Sequence, residues 1–275
     1  MILLDQAGAG ATCARMFLPP HALDPLIEHF WVQRAQGNFT ERAWRVIPDP
    51  NPNMIFVVFR KESRIQARCA VVGPRSRFAD VSMTNRVFTC GVRLRAGVLP
   101  LLTGFPASDF TDRSVPVDAV FGARGKLLME RLGECRSPRR ALDEMARFFS
   151  RQRMDRTSLV RFPLDRCTRV GELAAQSGLP VRTLHGRVMQ HVGLSPKRYL
   201  RVERLHRALA TSQCHSIAWA QVSAISGYAD QAHMIREFVD LLGESPSAWR
   251  SRAPLPICSI QPPQPPIEIL ADTVA

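Results

Sequence analysis

The C-terminal third of the chain carries one pattern twice, and this duplication limits the folds open to it. Residues 170–190 and 217–240 each hold a run of small residues, a Ser-Gly pair, an apolar residue, a loop and a second helical run. Glycine adopts the left-handed backbone of a tight turn at little cost, so each Ser-Gly pair indicates a turn between two helices. The matching apolar positions are Leu173, Ala175, Leu179, Leu184 and Val188 in the first copy, and Val222, Ala224, Tyr228, Met234 and Phe238 in the second. The sequence therefore predicts two helix-turn-helix units.

A basic helix is predicted between the two units, beginning at Ser195-Pro196. Its apolar side is formed by Val202, Leu205 and Leu209. A neighbouring basic stripe is formed by Arg198, Arg201 and Arg204. The second helix of such a unit, called a reader below, ordinarily lies in the DNA major groove. Two linked readers can enter successive turns of the groove, roughly 34–36 Å apart. Double-stranded DNA is therefore the expected partner.

Residues 165–250 closely resemble the C-terminal DNA-binding domain of AraC/XylS-type transcriptional regulators. The resemblance is carried by ELAAQSGL, VRTLH, HVGLSPKRYLRVERLHRAL, SGYADQAHMIREF and GESPSAWR. It implies two readers joined by a long central helix, in a bacterial, cytoplasmic, sequence-specific transcription regulator. Activation is the commoner mode of that family, so an activator is expected. RNA polymerase and a second copy of the chain are candidate partners.

Position in the family pattern marks the residues expected to contact DNA. They are Arg182, Thr183, His185 and Arg187 in the first reader, and Gln231, Ala232, His233, Ile235 and Arg236 in the second. Arginine can bond both acceptors of guanine, glutamine can bond adenine, and small or branched side chains can pack on a thymine methyl group. Arg187, Arg198, Arg201 and Arg236 have the alternative role of phosphate contacts, which fix register without reading sequence.

The first reader departs from the family pattern at Gly186, where a larger residue is common. Glycine inside a helix costs about 1 kcal/mol relative to alanine. Whether this reader contributes as much specificity as the second therefore stays open.

Residues 15–115 indicate β structure. Runs rich in branched and aromatic residues, FWVQ, MIFVVF, AVVG and VFTCGVRL, alternate with turn-forming clusters such as PDPNPN at residues 48–53. This spacing predicts a barrel or a sandwich. Segments such as PPHALDPLIEHFWV and VIPDPNPNMIF resemble the small β-barrel sensor region of one AraC-like subgroup, over roughly residues 15–125.

The expected fold class is α+β and multidomain. Residues 1–118 are expected to form a barrel-like sensor domain, and residues 119–156 a helical linker that is a candidate dimerisation surface. Residues 157–251 are expected to form the all-α DNA-binding domain. The Pro-rich residues 252–275 are expected to be a disordered tail.

A sensor domain would need an apolar pocket with a few polar anchors. The candidates for this pocket are Trp31, Trp44, Phe56, Arg75 and Arg93. Each could equally belong to the barrel core or the surface. In the alternative interpretation the N-terminal half senses no small-molecule effector and only dimerises or contacts partners.

Composition bears on the remaining function classes. The formal net charge of +13 favours polyanion partners, but the excess is spread over both halves and does not locate a site. Seven scattered cysteines without a Cys-x-x-Cys pair predict free thiols in a reducing cytoplasm.

No signal peptide and no apolar run of about 18 residues is recognised, so no membrane association is expected. Hydrolase, metalloprotease, phosphate-loop and dinucleotide motifs are also missing. Neither an enzyme, a cofactor nor a metal site is expected.

Overall fold

The computed structural model describes residues 3–5, 14–34, 43–82, 86–152, 162, 167–212 and 217–251. The tail predicted for residues 252–275 lies outside these described residues.

The N-terminal part of the described chain is built on two antiparallel sheets. Their strands are β1 (Leu3–Asp5), β2 (Ala14–Phe17), β3 (Ile27–Arg34), β4 (Ala43–Val46), β5 (Asn53–Lys61), β6 (Arg64–Val72), β7 (Ala79–Ser82), β8 (Arg86–Leu94) and β9 (Ser114–Pro116). The larger sheet has the order β2-β3-β8-β5-β6-β9, and the smaller one the order β1-β4-β7. The four apolar runs recognised in the sequence lie in or overlap β3, β5, β6 and β8, because alternating apolar residues favour half-buried strands.

Helices cover one face of the larger sheet. They are a 3-10 turn (His21–Leu23), α1 (Leu99–Thr103), a second 3-10 turn (Ala107–Phe110), α2 (Val117–Phe121), α3 (Ala123–Glu134) and α4 (Pro138–Ser150). Leu132 of α3 and Phe149 of α4 are buried in one cluster with Phe56 and Cys90 of the sheet. The two helices expected to act as a linker thus also form part of the N-terminal core.

The described residues of 167–212 and 217–251 are mainly helical. The helices are α5 (Val170–Ser177), α6 (Val181–Val192), α7 (Pro196–Ser212), α8 (Trp219–Ser226), α9 (Gln231–Leu242) and α10 (Pro246–Ser251). Glu172 accepts from the Arg169 N–H at 3.2 Å, and Gln221 accepts from the Ala218 N–H at 3.3 Å, so α5 and α8 begin with the same type of cap. The expected class is confirmed: a β-rich domain is followed by an all-α domain with two helix-turn-helix units joined by α7.

The two units have separate cores. The first is centred on Leu173, Leu184 and Val188, and the second on Val222, Met234 and Phe238. Within the described residues, no helix combines the length and apolar character needed to cross a membrane.

Candidate nucleic-acid interface

The two turns that precede the readers have the same hydrogen-bond geometry. In the first, the Gly178 N–H donates to the Ala175 carbonyl at 3.1 Å and the Leu179 N–H donates to the Ala174 carbonyl at 3.1 Å. In the second, the corresponding bonds from Gly227 and Tyr228 measure 3.2 and 3.0 Å. Both glycines are left-handed, with φ of +63° and +81°. The predicted Ser-Gly turns are therefore present, and they direct α6 and α9 away from the preceding helices in the same manner.

The duplication extends to the far end of each reader. Leu184, Val188 and Val192 are buried in α6, at positions that correspond to Met234, Phe238 and Leu242 of α9. Each reader then ends at a left-handed glycine, Gly193 or Gly243, and the pair Ser-Pro begins the next helix. The repeated unit thus consists of a helix, a turn, a reader and a terminal glycine, called the glycine stop.

Most of the residues expected to contact DNA are exposed on the first halves of the readers. Those exposed on α6 are Arg182, Thr183, His185 and Arg187, and those exposed on α9 are Gln231, Ala232, Ile235 and Arg236. The apolar residues between them hold the helices to their cores. This alternation leaves one face of each reader accessible to a groove.

His233 is placed differently from its neighbours because it contacts its own unit. Its Nδ1 lies 3.4 Å from the Ala229 N–H, and its Nε2 lies 3.5 Å from Glu237 Oε1. Its ring also meets the Tyr228 ring edge-on, with centroids 5.4 Å apart. These contacts orient the imidazole along the helix and leave the side chain half-buried.

Glu237, on the buried side of the second reader, binds two arginines of α7, and its residue type did not predict this role. Its Oε1 accepts from Arg201 Nε at 2.8 Å and from Arg204 Nη2 at 3.3 Å. Arg201 also donates to Asp240 at 2.5 Å. Burial lowers the pKa of Arg201, but the bonds to Asp240 and Glu237 outweigh it, so the net shift is upward. The arginine stripe of α7 is thereby joined to α9.

Arg198, the third member of that stripe, points to the N-terminal domain. Its Nη2 donates to Ser76 Oγ at 3.3 Å. Ser76 in turn donates from Oγ to Asp112 at 2.7 Å. The charge of Arg198 therefore lies at a contact between the two domains.

Among the candidate effector residues, the structure brings Trp31 and Arg93 to one face of the larger sheet. Trp31 pairs with Gly91 and His29 pairs with Arg93 in neighbouring strands, so their side chains share a face. Trp31 Nε1 donates to Asn53 Oδ1 at 3.3 Å. Gly91 is needed here because an added Cβ would lie 2.7 Å from the Trp31 ring.

Phe56 and Trp44 stand apart from this pair. Phe56 lies on the opposite face of the sheet, is fully buried and meets Phe88 with ring centroids 6.0 Å apart. It is a core residue of the helix-covered side. Trp44 pairs with Val81 in the smaller sheet, and its side chain lies outside the described atoms.

Arg93 is the centre of a buried charge cluster. It donates to Glu28 at 2.8 Å and forms an ion pair with Asp49. Burial raises the pKa of both carboxyl groups, but the neighbouring positive charges, of which Arg93 has the largest effect, together outweigh burial and the net shift of each is downward. Burial, reinforced by Arg93, lowers the pKa of His29 to about 4. The cluster therefore holds two carboxylates and one guanidinium ionised beside a neutral imidazole.

Arg75 and Gln33 add polar atoms to the N-terminal interior. Arg75 forms an isolated bridge with Asp49 through its backbone, and burial lowers the pKa of its guanidinium. Gln33 is buried, and among the described residues its Oε1 has no hydrogen-bond partner. Residue type alone gave no signal for Gln33, Glu28 or Asp49.

The described cysteines and possible metal ligands bear on two expectations from the sequence. Cys69, Cys90 and Cys167 are buried, and burial raises the pKa of the Cys69 and Cys90 thiols. No group of three or more His, Cys, Asp and Glu side chains among the described residues could hold a metal ion.

The fold and the exposed reader faces define a DNA-binding domain with two helix-turn-helix units. Comparison with known families agrees: residues 173–252 match the model described as a helix-turn-helix domain, and residues 15–116 match a domain of unknown function, DUF6597. The helix-turn-helix transcriptional activator RhaS of Pectobacterium atrosepticum is 34% identical over 83 residues, which are 30% of this chain and 30% of that protein. RhaS of Pectobacterium carotovorum is 32% identical over 83 residues, again 30% of each chain. The C-terminal domain is therefore similar to the helix-turn-helix domain of AraC-type transcription regulators and follows a β-rich N-terminal domain; the match spans 30% of the length of the two RhaS relatives.

Solved structures of ToxT from Vibrio cholerae are also similar. An apo form has 11% sequence identity and a TM-score of 0.38, and the match covers 81% of this chain and 97% of that one. A form bound to an unsaturated fatty acid has 10% identity and a TM-score of 0.37, with 92% and 94% covered.

Proposed function

We propose that the protein activates transcription by binding a bipartite DNA site through α6 and α9. The observation that supports this most is the matched geometry of the two units, each with a buried apolar side and an exposed face on the first half of its reader. The two RhaS relatives, which are similar to this chain over 83 residues, are named activators.

The proposed contacts follow from the exposed side chains. Arg182 of the first reader suits guanine, whose O6 and N7 accept two bonds, and Gln231 of the second suits adenine. Ile235 offers an apolar surface for a thymine methyl group, and Arg187 and Arg236 suit bases or phosphates. His233 contributes mainly by orienting the second reader, because its ring already contacts Glu237 and Ala229.

The test is selection of duplexes from a random library by the purified protein and by two variants, Arg182→Ala and Gln231→Ala. We expect a bipartite motif with half-sites about one helical turn apart. Each variant should lose about 1–3 kcal/mol of discrimination between bases at one base pair of one half-site. Arg60→Ala and Gln66→Ala, which remove the same exposed side chains from the β5–β6 hairpin, serve as controls.

The selection also separates the two readers. A motif that is indifferent to Arg182→Ala but lost with Gln231→Ala would mean that the first reader supports the fold and reads no bases. No enrichment of any motif by the wild type would contradict autonomous DNA recognition.

We further propose that the N-terminal domain responds to a small-molecule effector at the sheet face of Trp31 and Arg93. The buried Gln33 Oε1 on this face supports the idea, because a buried polar atom without a partner costs about 1–3 kcal/mol unless a bound group satisfies it. Thermal melting against metabolite pools should give a stabilising shift that Gln33→Leu weakens. Gln66→Leu, a change on the exposed part of β6, is the control.

The alternative is an N-terminal domain that only dimerises or contacts RNA polymerase. It predicts no metabolite-dependent shift for the wild type. Sedimentation of the full chain, with and without metabolites, would then detect a constant oligomeric state.

A further inference from the structure

The second reader ends against the N-terminal domain. Arg45 donates from Nη1 to the Leu242 carbonyl at 2.8 Å, and the Phe78 N–H donates to the Leu241 carbonyl at 3.1 Å. The last carbonyl groups of a helix lack partners within the helix, so these bonds satisfy groups that would otherwise need water. The N-terminal domain therefore supplies part of the C-cap of α9.

This contact is closely fitted. Asp80 holds Arg45 through two bonds of 2.9 and 3.0 Å, and the Arg45 guanidinium lies 4.3 Å from the centroid of the Phe78 ring. A Cβ at Gly243 would lie 2.6 Å from that ring. Glycine is thus required at the end of the reader both for its backbone, at φ +74°, and for the approach of Phe78.

The first reader also ends against the N-terminal domain, at the corresponding glycine. Thr111 donates from Oγ1 to the Gly193 carbonyl at 2.5 Å. A Cβ at Gly193 would lie 2.8 Å from the Ala107 carbonyl oxygen and 3.0 Å from Pro74. The N-terminal domain therefore contacts both readers at equivalent positions.

The helix between the readers has its own contacts with the same domain. His206 Nε2 donates to the Pro48 carbonyl at 2.7 Å, and Arg198 donates to Ser76 at 3.3 Å. Ile47 is fully buried in the core of the second unit, beside Leu205. One side chain of the N-terminal domain is thus part of a helix-turn-helix core.

Most of the residues expected to contact DNA lie on the first halves of the readers, and all of them lie away from the terminal glycines, so these contacts do not cover them. The two units have separate cores and share α7, so their relative position depends on α7 and on whatever else joins them. We propose that the N-terminal domain is a clamp that sets the separation and orientation of the two readers, with Arg45 and Thr111 as positioning residues. The clamp would determine which spacing between half-sites the protein accepts, an inference that rests on the proposed function.

Spacing is a sensitive measure of such a clamp. Moving one half-site by one base pair shifts it by about 3.4 Å along the axis and by about a tenth of a turn around it. A rigid pair of readers would lose contacts at one half-site after such a shift. A pair joined only by α7 would tolerate the change better.

The experiment measures binding to duplexes that carry the two selected half-sites with spacers varied one base pair at a time across one helical turn. The proteins are the full-length wild type, the double variant Arg45→Ala/Thr111→Val and the control Arg95→Ala/Thr103→Val. The control removes the same side-chain groups, but its bonds lie within the N-terminal domain: Arg95 donates to the Asp24 carbonyl at 2.6 Å and Thr103 to the Leu99 carbonyl at 2.8 Å.

We expect the wild type and the control to prefer the best spacing over its neighbours by about tenfold, and the double variant by less than about threefold. Affinity for an isolated half-site should stay within about twofold for all three proteins, because the reading residues are unchanged. This combination distinguishes positioning from a general loss of structure.

Three outcomes would overturn the clamp. A double variant that binds DNA with the spacing preference of the wild type would overturn the clamp and leave the proposed function intact. A wild type that selects no bipartite site would overturn both. If the double variant does not fold, Thr111→Val alone, which keeps the shape of the side chain, must still weaken the spacing preference; an unchanged preference would overturn the clamp.

Discussion

The two readers share a framework but are stabilised in different ways. Asp230 caps α9, since its carboxylate accepts from the His233 N–H at 2.6 Å, whereas α6 follows Pro180, whose ring offers no acceptor. Glu237 anchors the middle of α9 to α7. The corresponding position of α6 is Arg187, which is exposed.

The comparison shows which parts of a duplicated unit are constrained. The buried apolar positions Leu184, Val188 and Val192 coincide with Met234, Phe238 and Leu242, and the glycine stops coincide too, because each reader must cover a core and end at the same kind of contact. The polar positions differ, since solvent places few limits on them. The second reader has a buried charge network, and the first has the exposed Gly186 in the same part of the helix.

The largest expected effect tests the network that only the second reader has. Glu237→Ala should lower the free energy of unfolding by about 2 kcal/mol, because Arg201 and Arg204 would lose their shared carboxylate; fully buried pairs cost about 3–5 kcal/mol, but these arginines keep some solvent contact. Urea denaturation measures the change. Arg187→Ala, at the equivalent position of the first reader, should stay within about 0.5 kcal/mol. Equal effects of the two variants would contradict the asymmetry.

A smaller effect is expected at the start of the second reader. Asp230→Ala should cost about 1 kcal/mol, because it removes the side-chain acceptor of the His233 N–H. Asp230→Asn should cost only a few tenths of a kcal/mol, since asparagine caps helices as well as aspartate does. Thermal and urea unfolding of both variants check the prediction. An equally large loss of unfolding free energy in the two variants would mean that the charge of Asp230, and not its capping bond, stabilises the helix.

The smallest effect concerns the first reader and has the opposite sign. Gly186→Ala should raise the free energy of unfolding by about 0.5–1 kcal/mol, because alanine favours the helix. The space around an added Cβ is open among the described residues. Gly193→Ala is the contrasting variant, and it should destabilise the protein because its backbone is left-handed and Ala107 lies close. A destabilising Gly186→Ala would mean that the helix needs glycine at this position.

The sequence predicted the readers more completely than the N-terminal domain. Leu184, Val188, Met234 and Phe238 were expected to be buried and are, because the helical period alone assigns them to one face. Four apolar runs likewise predicted strands of the larger sheet. The packing of α3 and α4 on that sheet was not foreseen, since an amphipathic helix pair does not specify which surface covers it.

Some placements of the candidate site residues could be predicted from the sequence, and others depend on tertiary packing. Exposure of Arg182 and Gln231 follows from their register with the buried residues of the same helix. The inward contact of His233 depends on Tyr228 and Glu237, whose placement follows from the packing of α8, α9 and α7. The separation of Phe56 from Trp31 follows from strand alternation, but only once both strands are paired in register.

By itself, the sequence determined the two turns and the faces of the readers. These features depend on residues three to five positions apart, whose geometry a helix or turn sets locally. Only the tertiary structure decided that Arg201 bonds Glu237, that Arg198 reaches Ser76 and that Ile47 enters the second core. The sequence around an arginine on a helix does not identify its partner, because an ion pair between distant segments forms only after their cores have packed and brought the charges together.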